Sequence, residues 1–164
     1  MMPRKSDSRG FTIVEVLIAS MILLVALLVL AGMFPMGYRQ VADAGRMTLA
    51  VTGARQVLED AGGLPFASLT NLNGFDTTNS ATLPANEPER ATARRWVYMF
   101  AGAGNGFTFT SAELAQWGTV TPFGGRATIQ VTSPSATLRQ ATVTVSVPGL
   151  PPTVQLTTVI ASMF

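Results

Sequence analysis

One long apolar stretch near the N-terminus dominates the pattern of hydrophobic and polar positions along the chain. The 24 residues from Phe11 to Phe34 are apolar or small, apart from Thr12, Glu15 and Ser20. As a helix they would be about 36 Å long, and a bilayer hydrocarbon core is about 30 Å thick. The pattern predicts a membrane-spanning helix, because the apolar core of a cleavable secretory signal has only about 7 to 15 residues.

A second helical pattern runs from 38 to 61, after Pro35. Pro35 has no amide hydrogen and its ring crowds the preceding turn, which predicts a kink or loosening of the helix there. Gly62 and Gly63 predict the helix end. The apolar residues recur at three- and four-residue spacing, which indicates one covered face; they are Met47, Ala50, Val51, Ala54, Val57, Leu58 and Ala61.

The sequence pattern after residue 61 predicts a long loop followed by a sheet. We predict a loop over 62–94, because Gly62, Gly63 and Pro65 end the helix and Thr70–Arg94 are rich in Asn, Thr, Ser, Pro and Glu, which is typical of a surface loop. We expect a sheet over 95–162, beginning with a central strand at Arg95–Ala101, apolar on both faces, and a short strand at Phe107–Thr110. Alternation at 127–132 and 141–147 predicts two further strands joined by a loop at 133–138, and a last strand follows at 153–160.

These elements together predict an α+β fold. A half-buried antiparallel sheet needs a layer that covers its apolar face. The apolar face of the helix at 38–61 is the available layer. We therefore expect a long N-terminal helix, its first half in the membrane, whose second half packs against a four- or five-stranded antiparallel sheet.

The charges support an exported domain. Arg4, Lys5 and Arg9 outnumber Asp7 before the apolar stretch, and basic flanks tend to stay cytoplasmic. The chain has 11 Lys plus Arg against 9 Asp plus Glu, but the two counts are equal without residues 1–10. The small basic excess therefore gives little support to a nucleic-acid surface.

Candidate chemistry is sparse. The chain has no histidine and no cysteine, which are the commonest general base and thiol nucleophile. No Ser, Thr, Asp or Glu pattern places a base beside a nucleophile, so we predict no catalytic residues, no metal site, no cofactor and no enzymatic activity. The run Arg94-Arg95-Trp96 can be interpreted as a stacking site for nucleic acid or as the solvated end of a strand.

Glu15 does not fit a plain membrane anchor. One interpretation places it at headgroup depth, where an acid also favours a helix N-terminus. The other is that Glu15 is a functional intramembrane carboxylate with a charged partner, since an isolated charge inside a bilayer is costly.

The sequence RGFTIVEVLIA at Arg9–Ala19 resembles the class III signal of type IV pilins and type II secretion pseudopilins. The resemblance implies cleavage between Gly10 and Phe11 by a prepilin peptidase and methylation of the new amine, which gives N-methylphenylalanine at Phe11. It also implies that Glu15 pairs with the terminal amine of a neighbouring subunit during assembly. The chain would then comprise a leader (1–10), the transmembrane and assembly half of the helix (11–36) and an extracytoplasmic pilin domain (37–164).

The resemblance also implies partners and a location. These are the prepilin peptidase, the inner-membrane assembly platform and other pilin or pseudopilin subunits, with a single-pass precursor in the inner membrane that later enters a pilus or pseudopilus. The segment Arg55–Leu69 is similar to minor pilins of the PilV type and to the I-type pseudopilin, and the lack of cysteine departs from the disulfide of many major pilins. A minor pseudopilin, a major pilin, a DNA-uptake pilin with indirect nucleic-acid contact, and a stand-alone membrane-anchored domain remain alternatives.

Overall fold

The computed structural model describes residues 11–118, 122 and 124–162. These residues form two compact units, one ending at Ala42 and one beginning at Asp43. The helices are α1 (Ile13–Gly62), α2 (Glu89–Ala101) and α3 (Ser111–Trp117), with short 3₁₀ turns at Ser68–Leu72 and Ser80–Thr82. The strands are β1 (Phe75–Asp76), β2 (Arg126–Ser135), β3 (Leu138–Val147) and β4 (Leu150–Ala161).

The first unit is helical from Ile13 to its end. This confirms the predicted N-terminal helix. All residues from Phe11 to Ala42 are exposed within the described structure, as expected for a segment whose apolar side chains need a partner or a lipid environment.

The second unit packs the last turns of α1 against the sheet. The helix buries Ala50, Ala54, Val57 and Ala61, and their four- and three-residue spacing is the predicted covered face. The sheet residues in the same core alternate along their strands; they are Ala127, Ile129 and Val131 on β2 and Ala141, Val143 and Val145 on β3. Each fully buried valine or isoleucine contributes about 1.5–3 kcal/mol of transfer free energy.

The sheet has four antiparallel strands in the order β1-β2-β3-β4. Ile129 on β2 lies opposite Val143, which in turn lies opposite Leu156 on β4. The predicted α+β architecture, a long helix against a four-stranded antiparallel sheet, is confirmed. The predicted hairpin loop at 133–138 is shorter than expected, because β2 ends at Ser135 and β3 begins at Leu138.

The strand predicted at Arg95–Ala101 is wrong, since this segment is the second half of helix α2. Ala93, Trp96, Val97 and Phe100 are buried, and their spacing of three, one and three residues is that of one helix face. The other face of the helix supplies the remaining apolar residues, which made the segment look like a strand buried on both sides.

Two further predictions in this region are wrong. Phe107–Thr110 forms no strand in the described structure; Phe107 makes a single bridge to Gly104, and Thr110 caps α3. The predicted loop at 62–94 contains β1 and the start of α2. Phe75 of β1 pairs with Ile129 of β2. The sequence did not predict β1, because a strand of two residues is too short to show an alternating pattern.

Candidate functional site

The candidate site is the N-terminal helix, which begins with a capped first turn. Thr12 precedes α1, and its hydroxyl oxygen accepts a hydrogen bond from the amide of Glu15 at 3.3 Å. The Thr12 carbonyl accepts from the amides of Glu15 and Val16 at 3.1 and 3.2 Å. Thr12 therefore acts as the N-cap, and Glu15 lies in the first turn, where the helix dipole favours an acid.

Glu15 is the one charged residue in the sequence between Phe11 and Tyr38. Within the described part of the chain, no group donates a hydrogen bond to its carboxylate. In an apolar environment an unpaired carboxylate carries a large desolvation cost. The geometry thus leaves Glu15 available to a positive group that the described residues do not supply.

The surface around Glu15 is almost wholly apolar. A window of 18 residues in α1 has a mean hydropathy of 3.0, and none of it is buried within the unit. Phe11 is 83% exposed and Leu28 is 65% exposed. By length and composition α1 can cross a membrane, and the same surface can pack against the helices of other subunits.

Gly10, Phe11 and Pro35 are the other residues predicted for this site. Gly10 lies outside the described residues, so cleavage after Gly10 and methylation of Phe11 stay predictions. Pro35 lies inside α1, which continues on both sides of it. Its ring nitrogen cannot donate to the carbonyl of Ala31, and the kink predicted there stays a prediction.

The nucleic-acid interpretation of Arg94-Arg95-Trp96 is contradicted by the positions of these side chains. Trp96 is only 1% exposed, and its indole N–H donates to Asp60 Oδ2 at 2.9 Å. A buried ring cannot stack on a base. Arg94 lies inside helix α2 and is paired with Glu113, so the alternative of a solvated strand end is also wrong.

Sequence reasoning missed the contacts that join the helices of the second unit. Arg94 donates to both carboxylate oxygens of Glu113 at 2.5 and 2.8 Å and to the carbonyl of Thr108 at 2.7 Å. Thr110 and Glu113 form a capping box at the start of α3. The Thr-x-x-Glu pattern at 110–113 was the available signal for that cap, and Pro88-Glu89 was the available signal for the start of α2.

The hydrogen bonds from Arg94 also set the charge state of Glu113. The pKa of Glu113 is lowered to about 2, mainly by these hydrogen bonds and with a smaller contribution from the Thr110 amide and hydroxyl, while burial acts in the opposite direction. Glu113 is therefore ionised throughout the physiological range. This ion pair stabilises the second unit and lies outside the N-terminal candidate site.

Comparison with known proteins points to the same N-terminal segment. Residues 5–31 match the prokaryotic N-terminal methylation motif. No curated protein and no solved structure matches the chain. The match begins at Lys5 in the basic leader and includes Gly10, Phe11, Glu15 and most of the apolar stretch, which gives the chain a prepilin-like N-terminus.

This motif occurs in a chain with an α+β, pilin-like fold, in which the last turns of a long N-terminal helix pack against a four-stranded antiparallel sheet. The N-terminus is prepilin-like, and the motif supports a type IV pilin-like or pseudopilin-like protein. Its N-terminal features are consistent with membrane anchoring, with processing by a prepilin peptidase and with assembly with other pilins.

Proposed function

We propose that this protein is a minor pilin, which enters a type IV pilus or the complex that initiates it through α1. The precursor lies in the inner membrane with its C-terminal domain outside, is cut between Gly10 and Phe11, and is methylated on the Phe11 amine. The protein acts by assembly and not by catalysis.

One observation carries this proposal: the exposed apolar stretch between Phe11 and Tyr38 contains a single charge, Glu15, four residues after the proposed new terminus and inside the matched methylation motif. After cleavage, Phe11 has a positive amine. In a bundle of such helices, that amine on one subunit can neutralise Glu15 on the next. Removing either partner from a buried ion pair costs about 3–5 kcal/mol, so the pair would fix the register between neighbouring subunits.

Small side chains on α1 support close packing between subunits. Ala19, Ser20, Ala26 and Gly32 reduce the bulk of the helix surface, and a Cβ atom built on Gly32 would meet no other atom within 4 Å. Apolar helices in membranes associate mainly through such close contacts. The same surface contacts lipid in the precursor and other helices in the filament.

Mass spectrometry of the purified protein tests the proposal. The protein is expressed in cells that contain a prepilin peptidase and, as the matched control, in the same cells without it. We expect an N-terminal N-methylphenylalanine at Phe11 in the first sample and an uncut leader in the second. An uncut leader in both samples would contradict the proposal and favour a stand-alone membrane-anchored domain.

A shearing experiment separates the minor pilin from the other members of the class. Sheared surface filaments are compared with the remaining membranes by immunoblotting against this chain and against the most abundant filament subunit. A minor pilin is expected in the filaments at a small fraction of the abundant subunit. Comparable abundance would indicate a major pilin, and its absence from filaments together with loss of protein secretion on deletion would indicate a pseudopilin.

A further inference from the structure

Two asparagines of this chain are followed by the same two residues. Asn73 and Asn105 each begin the tripeptide Asn-Gly-Phe. Asparagine deamidates most readily before glycine, because glycine has no side chain to hinder attack by its amide nitrogen on the asparagine side chain. The two sites therefore have the same residues on the reacting side, and a large difference in their reactivity must come from the fold.

The reaction consumes only water. The amide nitrogen of the glycine forms a bond to the side-chain carbonyl carbon of the asparagine. The bond from that carbon to the side-chain nitrogen breaks, and ammonia leaves with the amide proton. Water then opens the resulting five-membered succinimide ring at either of its two carbonyl carbons, which gives aspartate or isoaspartate. The ring can close only where the side-chain carbonyl and the following amide are both free to approach each other.

The fold holds both reacting groups of the first pair. The side-chain oxygen of Asn73 accepts a hydrogen bond from the amide of Val131 at 3.0 Å. The amide of Gly74 donates to the carbonyl of Ile129 at 3.0 Å. Val131 and Ile129 are buried residues of β2, so both bonds are made to one strand of the core. Both must open before the ring can close at Asn73.

The second pair lies in a two-residue turn. The amide of Phe107 donates to the carbonyl of Gly104 at 2.9 Å, and φ is 53° at Asn105 and 78° at Gly106. Positive φ at both central positions defines a type I′ turn, for which Asn-Gly is a preferred sequence. Among the described residues, no group bonds to the Asn105 side chain or to the Gly106 amide.

We propose that Asn105 is a site of spontaneous deamidation and that β2 protects Asn73 from the same reaction. Both asparagines are exposed, so access of water does not distinguish them. Ring closure at Asn105 needs a rotation about its Cα–C bond, which brings the Gly106 nitrogen to the side-chain carbon. That rotation opens one turn, whereas ring closure at Asn73 breaks two hydrogen bonds to the sheet.

The products change the charge and the backbone of this surface. Asn105 and Arg126 line one cavity of about 330 Å³. Arg126 bonds to Asp76 through Nε and Nη2, and its Nη1 bonds to no group among the residues that the structure describes. Either product places a new carboxylate in the cavity that this guanidinium lines. Isoaspartate also lengthens the backbone by one carbon atom, which should break the turn bond of the Phe107 amide.

Ageing of the purified full-length chain in detergent tests the proposal. The protein is kept in neutral buffer made with heavy-oxygen water, which labels only the carboxylates that form during the incubation. Trypsin then releases the two sites on separate peptides, 56–90 and 96–126, for mass spectrometry. We expect Asn105 to be converted at least about tenfold faster than Asn73, since two hydrogen bonds hold the Asn73 site closed to the reaction.

The same incubation in guanidinium chloride is the matched control. Without the fold, the two Asn-Gly-Phe sites should react at similar rates. A ratio in guanidinium as large as in the folded chain would assign the difference to sequence and overturn the proposal. Equal rates in the folded chain, or an Asn105 that stays unmodified there, would overturn it as well.

Hydrogen exchange tests the expected change in the turn. The aspartate and isoaspartate forms of the aged protein are separated by chromatography, and Asn105→Asp provides the same charge on a normal backbone. We expect the Phe107 amide to exchange at least about tenfold faster in the isoaspartate form, because its hydrogen bond is lost. The Asn105→Asp variant should keep the protection of the unaged chain, and equal protection in the isoaspartate form would contradict the effect on the turn.

Discussion

Arg94 and Glu113, 19 residues apart in the chain, form an ion pair through two hydrogen bonds that connects α2 to α3. Their side chains are 17% and 20% exposed, so solvent screens the pair less than it screens a surface salt bridge. The same carboxylate accepts from the amide of Thr110 at 2.7 Å. One acidic side chain thereby closes the first turn of α3 and attaches that helix to its neighbour.

The pair predicts a loss of stability in acid. Because the folded pKa of Glu113 is about 2 and the unfolded value is about 4.3, its contribution is present above about pH 5. This contribution falls as the pH is lowered toward 2. We expect Glu113→Gln to lower the free energy of unfolding at pH 7 by about 1–3 kcal/mol and to flatten the decrease between pH 5 and 2. Urea unfolding of the full chain in detergent, repeated across that range, measures both effects.

Glu59→Gln is the matched control for this experiment. Glu59 is exposed and forms no ion pair among the described residues. Its replacement should change the free energy of unfolding by less than about 0.5 kcal/mol. A Glu113 variant as stable as the Glu59 variant at pH 7 would contradict the role given to the pair.

Replacement of Glu15 should separate processing from assembly. We expect Glu15→Ala to be cleaved and methylated normally, while its amount in sheared filaments falls at least about tenfold, since the Phe11 amine of the next subunit would lose its counter-charge. The measurement is mass spectrometry of the membrane pool together with immunoblotting of filaments. Ser20→Ala is the control, because among the described residues the Ser20 hydroxyl bonds to the Leu17 carbonyl of its own helix and to no other group. This control should assemble normally, and equal incorporation of the two variants would exclude the charge-pair mechanism.

Cleavage should depend on the small size of residue 10. We expect Gly10→Asp to leave the precursor uncut, because a charged side chain would obstruct the peptidase at the junction. The shift between precursor and mature protein on a gel, checked by mass spectrometry, measures this. Ser6→Asp adds the same charge four residues upstream and should still be cut; a mature form of the Gly10→Asp variant would show that the junction lies elsewhere.

The bond from Trp96 to Asp60 should be important for stability. Asp60 also accepts from Gln56 at 2.8 Å, and Trp96→Phe would leave Asp60 Oδ2 without its indole donor in a site that is only 15% exposed. We expect a loss of about 2–3 kcal/mol in the free energy of unfolding. Thermal unfolding measures this loss. Trp117→Phe is the control, since Trp117 is partly exposed and its replacement should lower the free energy of unfolding by less than about 1 kcal/mol.

The sequence predicted the elements whose period is sustained. The apolar stretch at Phe11–Phe34, the covered face of α1 and the alternation on β2, β3 and β4 are long enough to distinguish a helix from a strand. Helix α2 was mistaken for a strand because its polar first half was assigned to a loop, and the six residues after Arg95 are apolar or aromatic on all sides. The Arg94–Glu113 and Asp60–Trp96 contacts join residues that are far apart in the sequence. A local sequence pattern does not indicate which distant residue an arginine or a tryptophan will contact.

The candidate site was predictable for a different reason. Glu15 is conspicuous because a charge inside an apolar helix is costly, and that cost is visible in the sequence without any tertiary contact. The position of β4 at an edge of the sheet, as far as the structure describes it, was not predictable in this way, since it depends on the order of the strands.

The short turn between β2 and β3 makes the protein convenient to label. Residues 136 and 137 form this turn, and Ala136 is exposed. Since the chain contains no cysteine, Ala136→Cys would provide a single thiol for a fluorescent dye, away from the buried face of the sheet. Such a dye would let the position of individual subunits be followed in living cells.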